Sequence, residues 1–195
     1  MRDRKARTGQ LIQAGYVERV LRVFNMWECT PVATPMDLNV RLSKLECPEV
    51  VDPLLHRKYR SIVRCLSYLV NMRRPDPAFS FSQLSKFLQY PGYAHLAAAY
   101  RVFACVKGTL SQGLSWHDPG VGSPNKLSGW VDSDFRSDID TRKSMTGYLM
   151  VLNGGPIPWK ASRQGWVTLS SSEAEFVAAS QTGKKYFTFG RSLKG

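Results

Sequence analysis

The fold class that this chain predicts is α+β, and three observations predict it. Apolar residues recur at helical spacing in four stretches before Gly108, a period-two alternation begins at Gly129, and a serine-rich helix start follows Leu169. The first part should form a compact helical bundle. The second should form a small, mostly antiparallel sheet of three strands followed by a helix.

From Gly9 to Phe24, residues Ile12, Tyr16, Val17, Val20, Leu21 and Phe24 form one apolar stripe. That spacing predicts an amphipathic helix whose other face offers Arg19 and Arg22. Pro31 and Pro35 then exclude a continued helix. Residues Val40 to Pro53 show no strong period and read as a loop.

Three further helices follow. Tyr59, Ile62, Val63, Leu66, Leu69 and Val70 share a stripe that should end before Pro75-Asp76-Pro77. Asp76 is placed to cap the next helix, with Pro77 at its first position and Phe79, Leu84, Phe87 and Leu88 facing the core. Leu96, Ala99, Tyr100, Phe103 and Val106 form the third stripe, which Gly108 should stop. The Gly, Pro and Ser content of Trp116 to Lys126 marks a linker.

Gly129 to Phe135 alternates large apolar with small or acidic residues, so Trp130, Asp132 and Asp134 share one face of a strand. Arg142 to Leu152 is strand-like, and Asn153-Gly154-Gly155 provides the positive-φ residues of a tight hairpin. Pro156 and Pro158 place the return segment at an edge or a strand start. Helical character resumes at Ser170-Ser171-Ser172-Glu173-Ala174-Glu175.

These acidic residues admit two readings. Carboxylates from a strand and a helix start can hold divalent metal, and two Mg²⁺ ions so held can activate water for phosphodiester cleavage. Equally, an S-x-x-E box satisfies free helix N–H groups, and acids at a helix N-terminus are favoured by the dipole. The box fits Ser170 with Glu173 or Ser172 with Glu175, and the first choice leaves Glu175 free. Asp138 and Asp140 lie in the intervening loop, where they suit turn capping.

Charge narrows the partners. There are 27 Lys and Arg against 15 Asp and Glu, a formal net charge of +12. Residues 1–117 hold 17 basic against 8 acidic residues, so the excess lies outside the acidic motif. A polyanion is the matching partner, although a basic surface also serves solubility. Cys29, Cys47, Cys65 and Cys105 form no C-x-x-C pair and are not spaced for zinc with His56, His95 or His117, which reads as reduced thiols in an intracellular protein. No sustained apolar segment follows the basic N-terminus, and none reaches membrane-spanning length, so neither a secretory signal nor a membrane partner is expected.

Four ordered motifs carry a resemblance: Gly129-Trp130-Val131-Asp132-Ser133-Asp134, Arg142-Lys143-Ser144-Met145-Thr146-Gly147-Tyr148, Pro156-Ile157-Pro158-Trp159-Lys160, and Leu169-Ser170-Ser171-Ser172-Glu173-Ala174-Glu175-Phe176. This order resembles the ribonuclease H region of Ty1/copia-type retrotransposon Pol polyproteins. Upstream, the Arg22-Val23-Phe24-Asn25-Met26 helix end and the Thr34-Pro35-Met36-Asp37 exit are similar to the segment beyond the polymerase palm in that family. Residues Tyr59 to Leu69, Arg74-Pro75-Asp76 and Lys107-Gly108-Thr109 are similar to its connection region.

The resemblance implies a partition: 1–40, the end of the reverse transcriptase; 41–117, a helical connection; 118–126, a linker; and 127–195, a partial ribonuclease H-like domain. It implies that Asp132 and Glu175 are catalytic metal ligands for Mg²⁺. Asp134 and Glu173 match acidic motif positions without direct roles. It also implies an RNA/DNA hybrid as substrate and the remainder of the Pol polyprotein as partner, in the cytoplasm within a virus-like particle or in the nucleus. Arg60, Arg64 and Arg73 are candidates for nucleic-acid backbone contacts, among a wider basic set of Arg57, Lys58 and Arg74.

Departures from the family pattern temper this. Arg64-Cys65 stands where a small Gly-Ser pair is usual, Phe135-Arg136-Ser137 replaces Trp-Ala-Gly, and Lys185 lies near a position that tends to be Glu. The family's next catalytic Asp lies on a strand beyond Gly195, and the polymerase aspartates lie upstream of Met1. The expectation is therefore a fragment without hydrolytic activity on its own. The alternatives are a non-enzymatic basic nucleic-acid-binding module and a decayed element.

Overall fold

The computed structural model describes residues 2–3, 7–37, 39–118, 120 and 124–192. Part of the basic N-terminus (residues 1 and 4–6) and part of the expected linker (residues 119 and 121–123) lie outside them. The chain divides into two compact units, one of residues 12–113 and the other of residues 1–11 with 114–195. The class is α+β, with five α-helices and two small sheets among the described residues.

The 12–113 unit is helical. Its elements are α1 (Ala14–Val23), a 3₁₀ turn (Lys44–Glu46), α2 (Pro53–Met72), α3 (Ala78–Ser85) and α4 (Tyr93–Lys107). Asp52 caps α2 by accepting from the Leu54 N–H at 2.9 Å, and Pro53 occupies the first turn, where its missing N–H costs nothing. Most of the expected stripes are buried: Val17, Val20 and Leu21 on α1, Tyr59 to Val70 on α2, and Ala99 to Val106 on α4 form one core with Leu84 and Phe87, whereas Phe79, expected to face it, is 43% exposed. Side-chain hydrogen bonds tie the core together, among them the Tyr59 hydroxyl donating to the Leu84 carbonyl at 2.8 Å and His56 Nε2 lying 2.9 Å from the Leu88 carbonyl.

Three local expectations are corrected here. Residues Thr8–Ile12 form strand β2 rather than the first turns of a helix, so α1 begins only at Ala14. Asp76 does not cap α3, because its carboxylate accepts from Arg74 Nε and Nη2 at 2.8 and 2.7 Å. Arg74 is 2% exposed and also donates to Thr109, so it is not available to a nucleic-acid backbone. Gly108 does follow α4, but with φ −65 it ends the helix without the left-handed geometry that needs glycine.

In the other unit, β1 (Arg2–Asp3), β2 and β3 (Gly113–His117) form one sheet in that order. Strand β3 takes the first residues of the expected linker. The second sheet runs β4 (Leu127–Asp134), β5 (Met145–Leu152), β6 (Gly155–Arg163), antiparallel throughout, and is followed by α5 (Ser171–Ser192). Asn153 (φ 51) and Gly154 (φ 81) make the hairpin turn with the two positive φ values that match strand twist. Gly155 lies against the Trp116 indole so closely that a Cβ there would sit 2.0 Å from Cδ1.

Candidate metal and nucleic-acid sites

Asp132 lies near the end of β4, opposite Gly147 of β5, and Asp134 is opposite Met145. Both are exposed, and Trp130 on the same face is 62% exposed rather than buried. The pleat puts Ser133 on the other face, opposite Thr146. On that face Thr146, Met150, Ala174 and Ala178 are buried.

The start of α5 resolves the two capping choices. Ser170 Oγ accepts from the Glu173 N–H at 3.1 Å, and the Glu173 carboxylate reaches back to the Leu169 N–H at 2.6 Å. Glu173 therefore satisfies helix-end donors. Glu175, two residues on, is exposed and makes no hydrogen bond or ion pair among the described residues.

Gln164 joins this helix to the strand pair. Its Nε2 donates to Thr146 Oγ1 at 3.0 Å and to the Ala174 carbonyl at 2.9 Å. Thr146 is the cross-strand partner of Ser133, and Ala174 precedes Glu175. The residues flanking Asp132 and Glu175 are thus tied to one buried amide. Sequence reasoning passed over Gln164, and its only sequence signal is a polar residue between a strand and a helix start.

The loop between β4 and β5 is held by its own acid. Asp138 is fully buried, with Oδ1 accepting from the Thr141 N–H at 3.0 Å and Oδ2 from Arg163 Nη1 at 3.2 Å. Its part is turn capping, as its position suggested. Arg136, with φ 51, donates its N–H to Ser144 Oγ, which also lies 2.8 Å from Thr168 Oγ1.

As a metal site, Asp132 and Glu175 are two accessible carboxylates on adjoining elements, but Asp132 stands on the sheet face away from the one that α5 covers. They do not supply a complete one: among the described residues no group of three or more His, Cys, Asp or Glu could hold a metal ion. Among the basic candidates, Arg60 and Arg64 stand exposed one turn apart on α2, with no acidic partner among the described residues. Arg73 is half-buried and donates to the Ile12 carbonyl at 2.7 Å, so it fastens the chain entering α1. The four cysteines are not disulfide-bonded, and no described helix is long and apolar enough to cross a membrane.

No family model matches the chain, and no solved structure matches it. Curated proteins do. The chain is 39% identical, over its whole length, to the Retrovirus-related Pol polyprotein from transposon TNT 1-94 of Nicotiana tabacum. It is 33% identical, over 90% of its length, to the corresponding polyprotein from transposon RE1 of Arabidopsis thaliana. It spans only 14% and 12% of those two proteins. A third relative, Secreted RxLR effector protein 161 of Plasmopara viticola, is 37% identical over 63% of this chain and 84% of its own length.

Proposed function

This chain belongs to the copia-type retrotransposon Pol polyproteins, and on that premise we propose that residues 127–192 are part of a ribonuclease H-like domain whose parent hydrolyses the RNA strand of an RNA/DNA hybrid. The observation that carries the reading is the Gln164 bridge, which ties the strand pair bearing Asp132 to the helix start bearing Glu175. With Glu173 occupied by the cap, Glu175 is the helix carboxylate left for chemistry.

In this reading Asp132 and Glu175 hold Mg²⁺, and further ligands come from elsewhere in the parent. Bound Mg²⁺ supplies an activated water oxygen and charge compensation on the leaving oxygen. The chain's own residues fix geometry. Ser133 and Thr146 set the height of Asp132 in the sheet, and Gln164 sets the first turn of α5. In the hydrolysis itself a water oxygen would bond to phosphorus as the ester P–O bond breaks, and the proton given up by the water would be balanced by the one taken up at the departing oxygen. Two carboxylates leave a two-ion centre short of charge, so this chain alone does not catalyse the step. The parent would act inside the cell, with the rest of the polyprotein as its partner.

The test replaces the equivalent segment of the tobacco polyprotein with this chain and follows Mg²⁺-dependent loss of RNA from a hybrid. The reading expects cleavage that Asp132→Asn and Glu175→Gln each abolish. Undiminished cleavage in either variant overturns the assignment of that carboxylate.

A second reading rests on Arg60 and Arg64, exposed and unpaired on α2 among the described residues. As a non-enzymatic module, the chain would bind nucleic acid in a salt-sensitive way that survives Asp132→Asn but weakens on charge reversal of both arginines. Binding unchanged between low and high salt would exclude it.

A further inference from the structure

Helix α5 changes character along its length. Its first half rests on the sheet through Ala174 and Ala178, both essentially fully buried, over Met150. Continuing the same side of the helix by turns of three and four residues leads to Gln181, Lys184, Lys185 and Thr188. These four line a cleft of about 380 Å³. The sheet supplies its floor: Thr146 and Ser162 are cross-strand partners, as are Tyr148 and Lys160.

This is the reverse of what sealing a helix onto a sheet requires. The hydrophobic effect favours an apolar stripe inward, yet Phe187 on the same half of the helix is 73% exposed while lysines line the cleft. Three ammonium groups, Lys160, Lys184 and Lys185, share the cleft, and no carboxylate lines it. A solvated lysine surface ordinarily gains by interleaving acids. Here the compensating negative charge has to come from outside the lining.

The rest of the lining says what kind of anion. Hydroxyls of Ser162 and Tyr148 stand among the ammonium groups, while the Thr188 hydroxyl donates to the Lys184 carbonyl and the buried Thr146 hydroxyl accepts from Gln164. Burial raises the Tyr148 phenol above its ordinary pKa, so it remains a hydrogen-bond donor. Lysine point charges with hydroxyl donors suit tetrahedral, multiply charged oxyanions, whereas the planar fork of arginine suits bidentate carboxylate pairing. The volume accommodates a diphosphate or one sugar-phosphate unit of a strand.

We propose that the cleft between α5 and strands β5 and β6 is a binding site for phosphoryl groups, held by Lys160, Lys184 and Lys185 with the hydroxyls of Ser162 and Tyr148 from the sheet. It goes beyond the carboxylate reading above. It lies on the sheet face carrying Thr146 and Tyr148, whereas Asp132 is on the face carrying Trp130 and Asp134.

The test uses this chain with two probes, inorganic pyrophosphate by titration calorimetry and a short RNA/DNA hybrid by fluorescence anisotropy. The variants are Lys160→Gln, Lys184→Gln and Lys185→Gln combined, the three matching Lys→Arg changes combined, and Arg60→Gln with Arg64→Gln. All sites are at the surface, and an unchanged urea midpoint verifies the fold. The glutamine variant should lose at least tenfold in affinity, and the arginine variant should retain most of it.

Loss for pyrophosphate identifies a free phosphoryl ligand. Loss confined to the hybrid identifies a nucleic-acid backbone, and the slope of log affinity against log salt should then fall by about two to three units. Either result supports the site. No binding of either probe by the unaltered chain, or glutamine-variant affinities within twofold of it, overturns the proposal. Both titrations are run without divalent metal, whereas the nuclease reading is tested by Mg²⁺-dependent cleavage, so failure here and failure of the nuclease reading are separable.

Discussion

Gln164 and Ala174 are joined by a buried hydrogen bond of 2.9 Å, and the same Nε2 reaches Thr146 Oγ1 at 3.0 Å. One amide therefore sets the position of α5 against β5. Replacing it with leucine, close in shape, removes both donors and leaves a buried hydroxyl and a carbonyl short of partners. The expected cost of Gln164→Leu is about 1–3 kcal/mol, read as a lowered urea midpoint. A change under about 0.5 kcal/mol would mean that the bridge does not hold the helix.

Glu173 and Glu175 should separate cleanly. The carboxylate of Glu173 accepts from the Leu169 N–H, and its own N–H is capped by Ser170. Glu173→Ala should cost about 1 kcal/mol of stability through the lost cap and dipole interaction. Glu175→Ala, exposed and unbonded among the described residues, should stay within about 0.5 kcal/mol. Paired denaturant curves decide this, and equal losses would undo the division between a capping and a free glutamate.

The β5–β6 turn gives a test of backbone geometry. Gly154 has φ 81, and L residues there cost about 1–2 kcal/mol. Gly154→Ala should lower stability by that amount without altering the fold. Gly155→Ala should do worse, because a Cβ at 2.0 Å from Trp116 forces the indole away, visible as a change in tryptophan emission. If Gly155→Ala proves the milder of the two, the Trp116 contact is not as close as described.

Arg74 is the largest side chain among the fully buried residues. It donates to both oxygens of Asp76 and to the carbonyl and hydroxyl of Thr109, at 2.6–3.0 Å. Lysine cannot reproduce that fork, so Arg74→Lys should be destabilising, and Arg74→Ala should cost about 1–3 kcal/mol through the lost hydrogen bonds to Thr109 and Asp76, the latter 46% exposed. Thermal unfolding of the two variants measures it, and a neutral Arg74→Ala would return this residue to the surface.

The contrast between Arg74 and Arg60 shows where sequence reading reaches its limit. Both are basic residues near helix ends or faces, and composition cannot tell a guanidinium buried in a hydrogen-bond set from one in solvent. Apolar periodicity was legible because burial repeats with the helix: Tyr59, Ile62, Leu66 and Leu69 are all fully buried. The Asn153-Gly154 turn was legible because its φ values demand those residues. Thr8–Ile12 was misread because Ile12 and Tyr16 fit a helical stripe, while the strand pairing that wins there comes from β1, just upstream, and from β3, distant in sequence. The Ser170/Glu173 choice was open in the sequence, since both boxes satisfy the same spacing, and only the hydrogen bonds select one.

Tyr59 supplies a prediction in pH. Its ring is fully buried and its hydroxyl donates to Leu84, and burial first, then the nearby Cys47, push the phenol well above its ordinary pKa. The unfolded chain releases that proton near pH 10, whereas the folded chain keeps it. Above pH 10 the unfolded state thus binds fewer protons, and stability falls as pH rises by about 1.4 kcal/mol per unit for this group. Below pH 10 the contribution is fully present. Tyr59→Phe removes the slope but also the Leu84 hydrogen bond, about 1 kcal/mol at neutral pH. The unaltered chain should therefore be the more stable at pH 8, and the two stabilities should meet near pH 11. Tyr16 and Tyr148 are raised in the same direction and leave a residual alkaline slope in the variant. Parallel curves for the two proteins between pH 9 and 12 would show that the Tyr59 phenol ionises in the folded state.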